Sequence, residues 1–587
     1  MSYYADVGIT VLIYIMLGVS LNLLVGYAGR ISLAHAIFFG IGGFTAARLT
    51  LPPAVHGAAS TAGVVSGLGW NWLPALAAAV VVAFFGALLI SVPAVRLIRG
   101  EYLILLTLAF QLVANQLMGL AESVTGGPYG LSGIPPISIF GAGFSAPERM
   151  FFVMLVAAVG VILLCWRLGE SPFGRLLKGI REHDSAVSSL GKNPVGPELL
   201  AFGISAAIAG GTGALAAFYY GSVVPGNYTL DLSILVISIV VLGGAGNITG
   251  TVVAGVVLGL LAPALRRFVG DSAIPWQAVI YGAALVAMMR LRPSGLLPEG
   301  AGVSRLWRRR VAPDTRTPAQ VLERLARVSK SDREQDQAVV QVIDLQKSFG
   351  GLKAVNGASF SLPAGQITAL IGPNGAGKTT IFNMICGTIS ADSGRVFLRG
   401  RDVTGTPAHD LAHLGLARSF QDVRVCQRLS ALDNVAMAVP GQLGERISQL
   451  ALRPLAVRRQ EAATREKALD CLGLLGMAGK AYQLAGDLSY GDQKLIAIAR
   501  LIATDSDVLL LDEPTSGVDP ASVERVIEGI GKLRDLGRTV CLIEHSVHFV
   551  QRLADRAVFL DQGAVITEGT VEELMQSREL ADLYFGT

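Results

Sequence analysis

Apolar stretches near the roughly 20 residues that span a bilayer recur through the first half of this chain. They fall at residues 7–28, 31–50, 73–92, 102–121, 150–168, 199–221 and 274–291. A segment apolar on every face finds no stable place in water, so the medium that folds this half is lipid. The region 230–265 holds two more runs, divided by "LGGAGNITGT" at 242–251. Counting both gives about nine crossings; a re-entrant pair is the alternative. The first run has no basic region before it and no small-residue cleavage site. It is also longer than a signal-peptide core, so it reads as a retained helix.

The hydrophobic fraction of 52% and the charged fraction of 16% average two unlike halves. Charges are sparse up to about Arg290 and dense from Arg305 onward. The division predicts a transmembrane domain over 1–298, a charged linker over 299–338 and a soluble domain over 339–587. Basic residues set the orientation. Arg96 and Arg99 share one short loop; Arg167, Arg175, Lys178 and Arg181 share another; Arg290 and Arg292 close the last span. With nine alternating segments all lie on the side of the soluble half, the cytoplasm, and the N-terminus lies outside. Arg266 and Arg267 break the pattern. The cluster Arg305 with Arg308 to Arg310 follows the last span and reads as an inside anchor, not as a nucleic-acid face. Five cysteines without metal or pairing spacing fit a reducing cytosol.

Polar residues inside the spans are few: Asn22, Gln111, Asn115 and Glu122. Gln111 and Asn115, four apart, share a helix face and either bond neighbouring helices or line a polar path. Glycines in "GIGGF" (40–44) and "AGGTGALAA" (209–217) allow close helix approach, and also rocking. The loop "SPFGRLLKGIREHDSAVSSLGKN" (171–193) opens with the helix start Ser171-Pro172. Its stripe of Leu176, Leu177 and Ile180 suits either a lipid surface or a groove in a partner domain.

The soluble half opens its chemistry with "ALIGPNGAGKTTIFN" (369–383): apolar strand, G-x-x-x-x-G-K-T, helix. Backbone N–H groups of such a loop cradle phosphates, Lys378 reaches the β- and γ-phosphates, and Thr379 offers its hydroxyl to Mg²⁺. "DVLLLDEP" (507–514) is an apolar strand ending in two carboxylates. Asp512 is placed to hold Mg²⁺ through water, and Glu513 to orient the attacking water and take its proton. "LARSFQD" (416–422) delivers Gln421, and "VCLIEHS" (540–546) ends at His545. "LSYGDQKLIAIARLIA" (488–503) places Ser489 and Gly491 at a second anion-binding helix start.

Together these pieces resemble the nucleotide-binding domain of ABC transporters. The resemblance covers about 340–587, with Phe349, the phosphate loop at 372–379, Gln421, the signature at 488–492, Asp512-Glu513, Asp519 in "SGVD" and His545 in order. It implies a polytopic α-helical membrane domain followed by an α/β P-loop ABC ATPase domain with a helical subdomain. It implies ATP on Phe349, Gly372, Asn374, Gly375, Gly377, Lys378, Thr379, Thr380 and Asp519, with Ser489 and Gly491 closing a partner's ATP. Mg²⁺ would rest on Thr379, Gln421 and Asp512, and catalysis on Glu513, His545 and Gln421. The usual signature is Leu-Ser-Gly-Gly-Gln; here Leu488-Ser489-Tyr490-Gly491-Asp492 keeps the serine and the second glycine.

"LSYGDQ", "RSFQDVRVCQRLSALDNV" and the stretch 440–482 are similar to the G-type ATPase of Liv-type branched-chain amino acid importers. "GYAGRISLAHAIFFGIGGFTAA", "RGEYLILLTLAF", "TGGPYGLSGIP" and "RPSGLLPEG" are similar to the M-type permease of that system. The resemblance therefore implies a fusion of two normally separate subunits in a bacterial inner membrane, with the ATPase in the cytoplasm. Expected partners are an H-type permease and an F-type ATPase, or a second copy of the chain, with a periplasmic substrate-binding protein and membrane lipid. Expected cargo is a branched-chain or related amino acid; urea, short amides and organic or aromatic acids are the alternatives. An exporter would need longer inward helices, and an ATP-gated channel or a non-transport machine would not accumulate solute.

Overall fold

The computed structural model describes residues 2–53, 67–97, 101–139, 142–269, 279–280, 282–283, 286–288, 290–292, 294–300, 318–327 and 338–575. Arg99, Arg305, Arg308 to Arg310, much of the run 274–291 and much of the expected linker lie outside these residues. The chain divides into two compact units, Met1–Arg181 with Val195–Arg309 and Glu182–Pro194 with Arg310–Thr587. A short stretch interior to the first half of the sequence therefore belongs to the second unit.

The first unit is helical: α1 (Ser2–Asn22), α2 (His35–Thr50), α3 (Trp72–Leu97), α4 (Glu101–Leu120), α5 (Pro147–Gly169), α6 (Pro172–Ser189, whose first part lies here), α7 (Val195–Tyr220), α8 (Leu230–Gly243) and α9 (Ile248–Val269). Among the described residues, seven helical segments are long and apolar enough to cross a membrane. They are Ser2–Tyr27, Trp72–Val95, Tyr102–Leu120, Pro147–Gly169, Val195–Tyr220, Pro225–Gly243 and Ile248–Leu265. The expected span at 31–50 forms only the 16 residues of α2, short of a full crossing. The ambiguous region 230–265 separates into α8 and α9 at Gly244 to Asn247.

Close packing explains the glycines. A Cβ on Gly42 would collide with the Gly210 backbone, and one on Gly213 with the Phe39 carbonyl, so α2 and α7 touch backbone to backbone. Polar side chains satisfy one another at such contacts. Asn22 donates to Thr251 Oγ1 (2.8 Å) and accepts from Gly246 N–H (2.9 Å). Its neighbours Leu23–Tyr27 form a π-helical turn. Arg30 pairs with the buried Glu198 at 2.8 Å. Glu122 stands outside the spans, exposed in a short helix after α4.

The second unit has two sheets. β1 (Ala338–Phe349), β2 (Leu352–Pro363), β4 (Ser393–Leu398) and β5 (Arg401–Asp402) form an antiparallel sheet in the order β2-β1-β4-β5. β3 (Ile367–Ile371), β6 (Leu416–Arg418), β7 (Val508–Asp512), β8 (Thr539–Ile543), β9 (Arg556–Asp561) and β10 (Ala564–Thr570) form the other, in the order β6-β7-β8-β3-β9-β10. The first five are parallel and β10 is antiparallel. β3, β7 and β8 are buried at every position, which is why they read as unbroken apolar runs. Within the expected tether, Pro318–Arg327 forms a helix that buries Val321 and Leu325. Its Arg324 reaches Glu466 and Asp470 at 3.0 Å on the helix Pro454–Leu474, so this part of the linker docks instead of hanging free.

Candidate functional site

β3 ends in the phosphate loop, and the loop's shape demands glycine. Gly372, Gly375 and Gly377 take φ of 147°, 86° and 91°. A Cβ on Gly372 would collide with the Leu560 carbonyl, and one on Gly377 with that of Ala354. The helix that follows, α10 (Lys378–Ile385), starts with Lys378, Thr379 and Thr380, so its unpaired N–H groups face the loop. Lys378 Nζ donates to the Gly372 and Pro373 carbonyls, each at 2.8 Å. Burial pulls its ammonium below the usual lysine range, while Glu513 and Asp512 oppose that shift.

An open cleft of about 750 Å³ runs from this loop. Phe349, half exposed, and Asn374 lie on its wall; Glu513 and His545 close its floor. Glu513 follows β7 with φ 44°, a left-handed turn that aims the carboxylate into the cleft. Its Oε1 lies 3.1 Å from His545 Nε2, and its Oε2 accepts from Gln421 Nε2 at 2.9 Å. The three residues read from separate segments are thus one bonded group.

Two groups not singled out from the sequence hold this arrangement. Lys494 donates to the carbonyls of Gln421 (2.9 Å) and Glu513 (3.1 Å). Arg418, buried at the end of β6, donates to Asp512 Oδ2 at 2.7 Å, to Asn383 Oδ1 and to Cys386 Sγ at 3.1 Å. The only sequence signal for Arg418 was a charge at the end of a short apolar strand. Burial pushes the Asp512 carboxyl above its ordinary range, with Arg418 the main force against it. Asp512 Oδ1 is buried with no hydrogen-bond partner. That unsatisfied acceptor at the end of β7, with the Thr379 hydroxyl at the start of the phosphate-loop helix, is the donor chemistry of a hydrated magnesium ion.

The signature residues stand elsewhere on the unit. Neither Ser489 nor Gly491 lines the cleft. Ser489 caps the helix Tyr490–Ala503 by accepting from Asp492 N–H (3.2 Å). Gly491 lies so close to Ser522 that a Cβ would come within 2.5 Å of the serine's own. Asp519 caps the helix Pro520–Asp535 through Ser522 N–H at 3.0 Å. At the departure Asp492, burial works against the charge, yet bonds from Lys480, Arg525 and Ser489 hold the carboxyl below the usual range. The aspartate is therefore a structural clasp for the helix start.

The stretch Glu182–Pro194 completes the other side of the unit. α6 breaks at His183 (φ −151°, ψ 86°). Ala186, Ser189 and Leu190 lie in a groove with Arg418, Phe420 and Val423. Arg424 donates to Ser185 Oγ (2.6 Å), and Lys192 to the Val439 carbonyl (2.9 Å) and Glu445 (2.7 Å). The expected contact stripe differs: Leu176, Leu177 and Ile180 are buried in the first unit. The kink ends the first helical face, so residues after it make the groove contacts.

Comparison with known proteins agrees with both halves. Residues 3–289 match the family described as "Branched-chain amino acid transport system / permease component", and residues 355–516 match "ABC transporter". The branched-chain amino acid transport ATP-binding protein LivG of Salmonella typhimurium is 36% identical over 251 residues, 43% of this chain and 98% of LivG. BraF of Pseudomonas aeruginosa is 35% identical over 249 residues, 42% of this chain and 98% of BraF. A crystal structure of a nucleotide-free ATP-binding cassette from an ABC transporter is 28% identical, covers 43% of this chain and 100% of its own, and has a TM-score of 0.37. The chain belongs to the ABC transporters, and its second half is their nucleotide-binding ATPase. In one polypeptide it joins a permease domain of the branched-chain amino acid transport type to an ATPase of the LivG type.

Proposed function

We propose that this chain drives ATP-dependent import of branched-chain or related amino acids across a bacterial inner membrane, with its ATPase in the cytoplasm. The observation that carries the reading is the lodging of Glu182–Pro194, a loop of the permease sequence, in the ATPase unit beside the Arg418–Gln421 strand end. ATP binds with its phosphates on the loop 372–380 and its base on Phe349. Thr379, Gln421 and Asp512 would hold a magnesium ion, which would supply positive charge against the phosphates. Lys378 neutralises the same phosphates. Glu513 takes the proton of the attacking water, and His545 and Gln421 hold Glu513 in place.

The cleft and the signature helix start do not meet within one chain, which supports closure of each ATP against a second ATPase domain. An H-type permease and an F-type ATPase fill the second half of the assembly, with a periplasmic binding protein delivering solute; a homodimer is the rival arrangement. Purification of the chain alone tests this. A stable homodimer with substrate-stimulated turnover overturns the heteromer, and recovery of uptake only on co-expression of a second permease and ATPase supports it.

Radiolabelled leucine accumulation in inside-positive-controlled native membrane vesicles tests the import reading. Accumulation above the external concentration, lost on Lys378→Ala, is expected; equilibration without accumulation defines a channel. Phe349→Ala is expected to raise the Michaelis constant for ATP roughly three- to tenfold, the loss of one aromatic stack. A large fall in melting temperature with an unchanged constant would mark Phe349 as a packing residue. Ala186→Trp overfills the groove at the loop contact and is expected to cut leucine uptake by roughly tenfold or more while ATP hydrolysis continues. Full uptake by that variant would separate the groove from coupling.

A further inference from the structure

Residues 446–460 of the second unit form a corner. The short helix Ile447–Leu452 ends at Arg453 (φ −131°, ψ 53°), and Pro454 starts the helix Pro454–Leu474. Proline fits the first turn of a helix and disfavours a helical residue before it, so Arg453-Pro454 ends one helix and begins the next. The corner is fastened from inside. Leu450 and Val457 are buried, and Gln460 accepts from the Leu443 N–H (2.6 Å) and donates to the Gly441 carbonyl (2.9 Å). What the corner presents outward is therefore held in place. Leu452 and Leu455 are 80% and 69% exposed, and Arg446, Arg453, Arg458 and Arg459 are exposed around them. Leu455, Arg458 and Arg459 share one helix face by their spacing of three and four.

A single exposed leucine is ordinary on a protein surface. Two at one corner, among four cations without counter-charge, are not. No Asp or Glu occurs in 446–460. The nearest along the chain, Glu445 and Glu461, are engaged by Lys192 (2.7 Å) and Arg465 (2.8 Å). Among the described residues none of the four guanidinium groups has an ion pair or a hydrogen bond. Apolar side chains ringed by uncompensated arginines match a surface that is oil beneath a layer of phosphates. The guanidinium fork pairs with phosphate oxygens while leucine enters the acyl boundary. Chain connectivity favours such a surface over an acidic protein. Glu445, one residue before the corner, holds Lys192, and Lys192 is three residues from Val195, where a helix long and apolar enough to cross a membrane begins. Three residues of chain reach about 10 Å at most. The 26 residues of that helix make about 39 Å, more than a hydrocarbon core of roughly 30 Å, which leaves its ends among the headgroups.

We propose that this corner docks on anionic phospholipid headgroups, with Leu452 and Leu455 entering the boundary between headgroup and acyl chain. The proposal rests on the membrane setting of the reading above and not on its solute. The test uses the full chain in lipid nanodiscs of phosphatidylcholine alone or with one third phosphatidylglycerol, each doped with nitroxide-headgroup lipid. Ala451→Cys, exposed beside Leu452, carries a fluorophore; the five native cysteines are buried. Quenching of this label is expected to be several-fold stronger with phosphatidylglycerol. The same label on Ile566→Cys, exposed on β10, is expected to show no dependence on phosphatidylglycerol. Arg453→Gln combined with Arg458→Gln and Arg459→Gln is expected to remove the effect, at roughly fivefold per arginine in the ratio of docked to free. Leu452→Ser with Leu455→Ser is expected to weaken quenching in both lipids. An Ala451→Cys label unquenched with phosphatidylglycerol, equal dependence at Ile566→Cys, full quenching in the triple arginine variant or no weakening in the double leucine variant overturns the proposal. Protection of the label that arises only when a second ATPase or permease is added overturns it in favour of a protein partner. No arm needs hydrolysis or uptake, so failure of leucine uptake with lipid quenching retained counts against the import reading alone.

Discussion

Replacing Glu513 by glutamine is expected to slow ATP turnover at this chain's own site by roughly 10²–10⁴-fold, the usual worth of a general base. Nucleotide binding should persist, because the side chain keeps its shape and Lys378 and the loop 372–380 are untouched. The geometry makes the expectation specific. Glu513 is held by His545 on one oxygen and Gln421 on the other, so its carboxylate is fixed before water arrives. An amide at this position can still accept one of these bonds but cannot take a proton at neutral pH. The measurement is single-turnover hydrolysis with any partner ATPase silenced, alongside nucleotide binding to the same preparation. Unaltered turnover would remove Glu513 from the role of base. Lost binding would mean that the substitution had disturbed the loop instead.

Arg418→Met should destabilise the second unit by about 3–5 kcal/mol, the cost of stranding a buried charge. For a domain of this size that corresponds to a fall of roughly 6–20 °C in melting temperature. The stranded charge is Asp512, which is 2% exposed and whose carboxyl burial already pushes up. Without the guanidinium its folded-state value rises further. A group whose folded value lies above its unfolded value adds stability below the unfolded value and loses it as pH rises. The gap between variant and wild type should therefore narrow on acidification, where Asp512 is protonated in both, and widen toward neutrality. Thermal unfolding of the full chain in detergent across this range checks the sign. The double variant with Asp512→Asn should recover most of the loss, since it removes the orphaned charge. A gap that stays constant with pH would show that Arg418 stabilises by packing on Phe382 and Phe420 alone.

Some of this was legible in the sequence because it is local. The strand–loop–helix around Lys378 and the strand ending in Asp512-Glu513 are read within a dozen residues, and periodicity and glycine spacing suffice. Arg418 and Lys494 escaped because their roles are distances between segments far apart in sequence. A helix within 171–193 was legible, but hydrophobic periodicity cannot show the break at His183 after which Ser185, Ala186, Ser189 and Leu190, and not the stripe Leu176, Leu177 and Ile180, reach the groove residues. Gln111 and Asn115 were recognised as one face, while their acceptors, the carbonyls of Pro225 and Tyr228, belong to irregular backbone that carries no period. The run 31–50 counted as a full span on composition, yet "GRIS" before His35 leaves helix α2 at 16 residues.

The membership of Glu182–Pro194 in the second unit has a consequence for how the protein is made. Synthesis runs from the N-terminus, so this stretch leaves the ribosome before any strand of the sheets that will surround it. It must wait, already anchored by the membrane helices on either side, until β6 and the helix Tyr490–Ala503 exist to receive it. The ATPase unit then closes around a piece of chain made earlier. A copy of 310–587 made alone would lack that wall and leave Phe420, Val423, Ile498 and Leu501 without their cover from Ala186 and Leu190. One polypeptide thereby ties production of the motor to insertion of the path it drives.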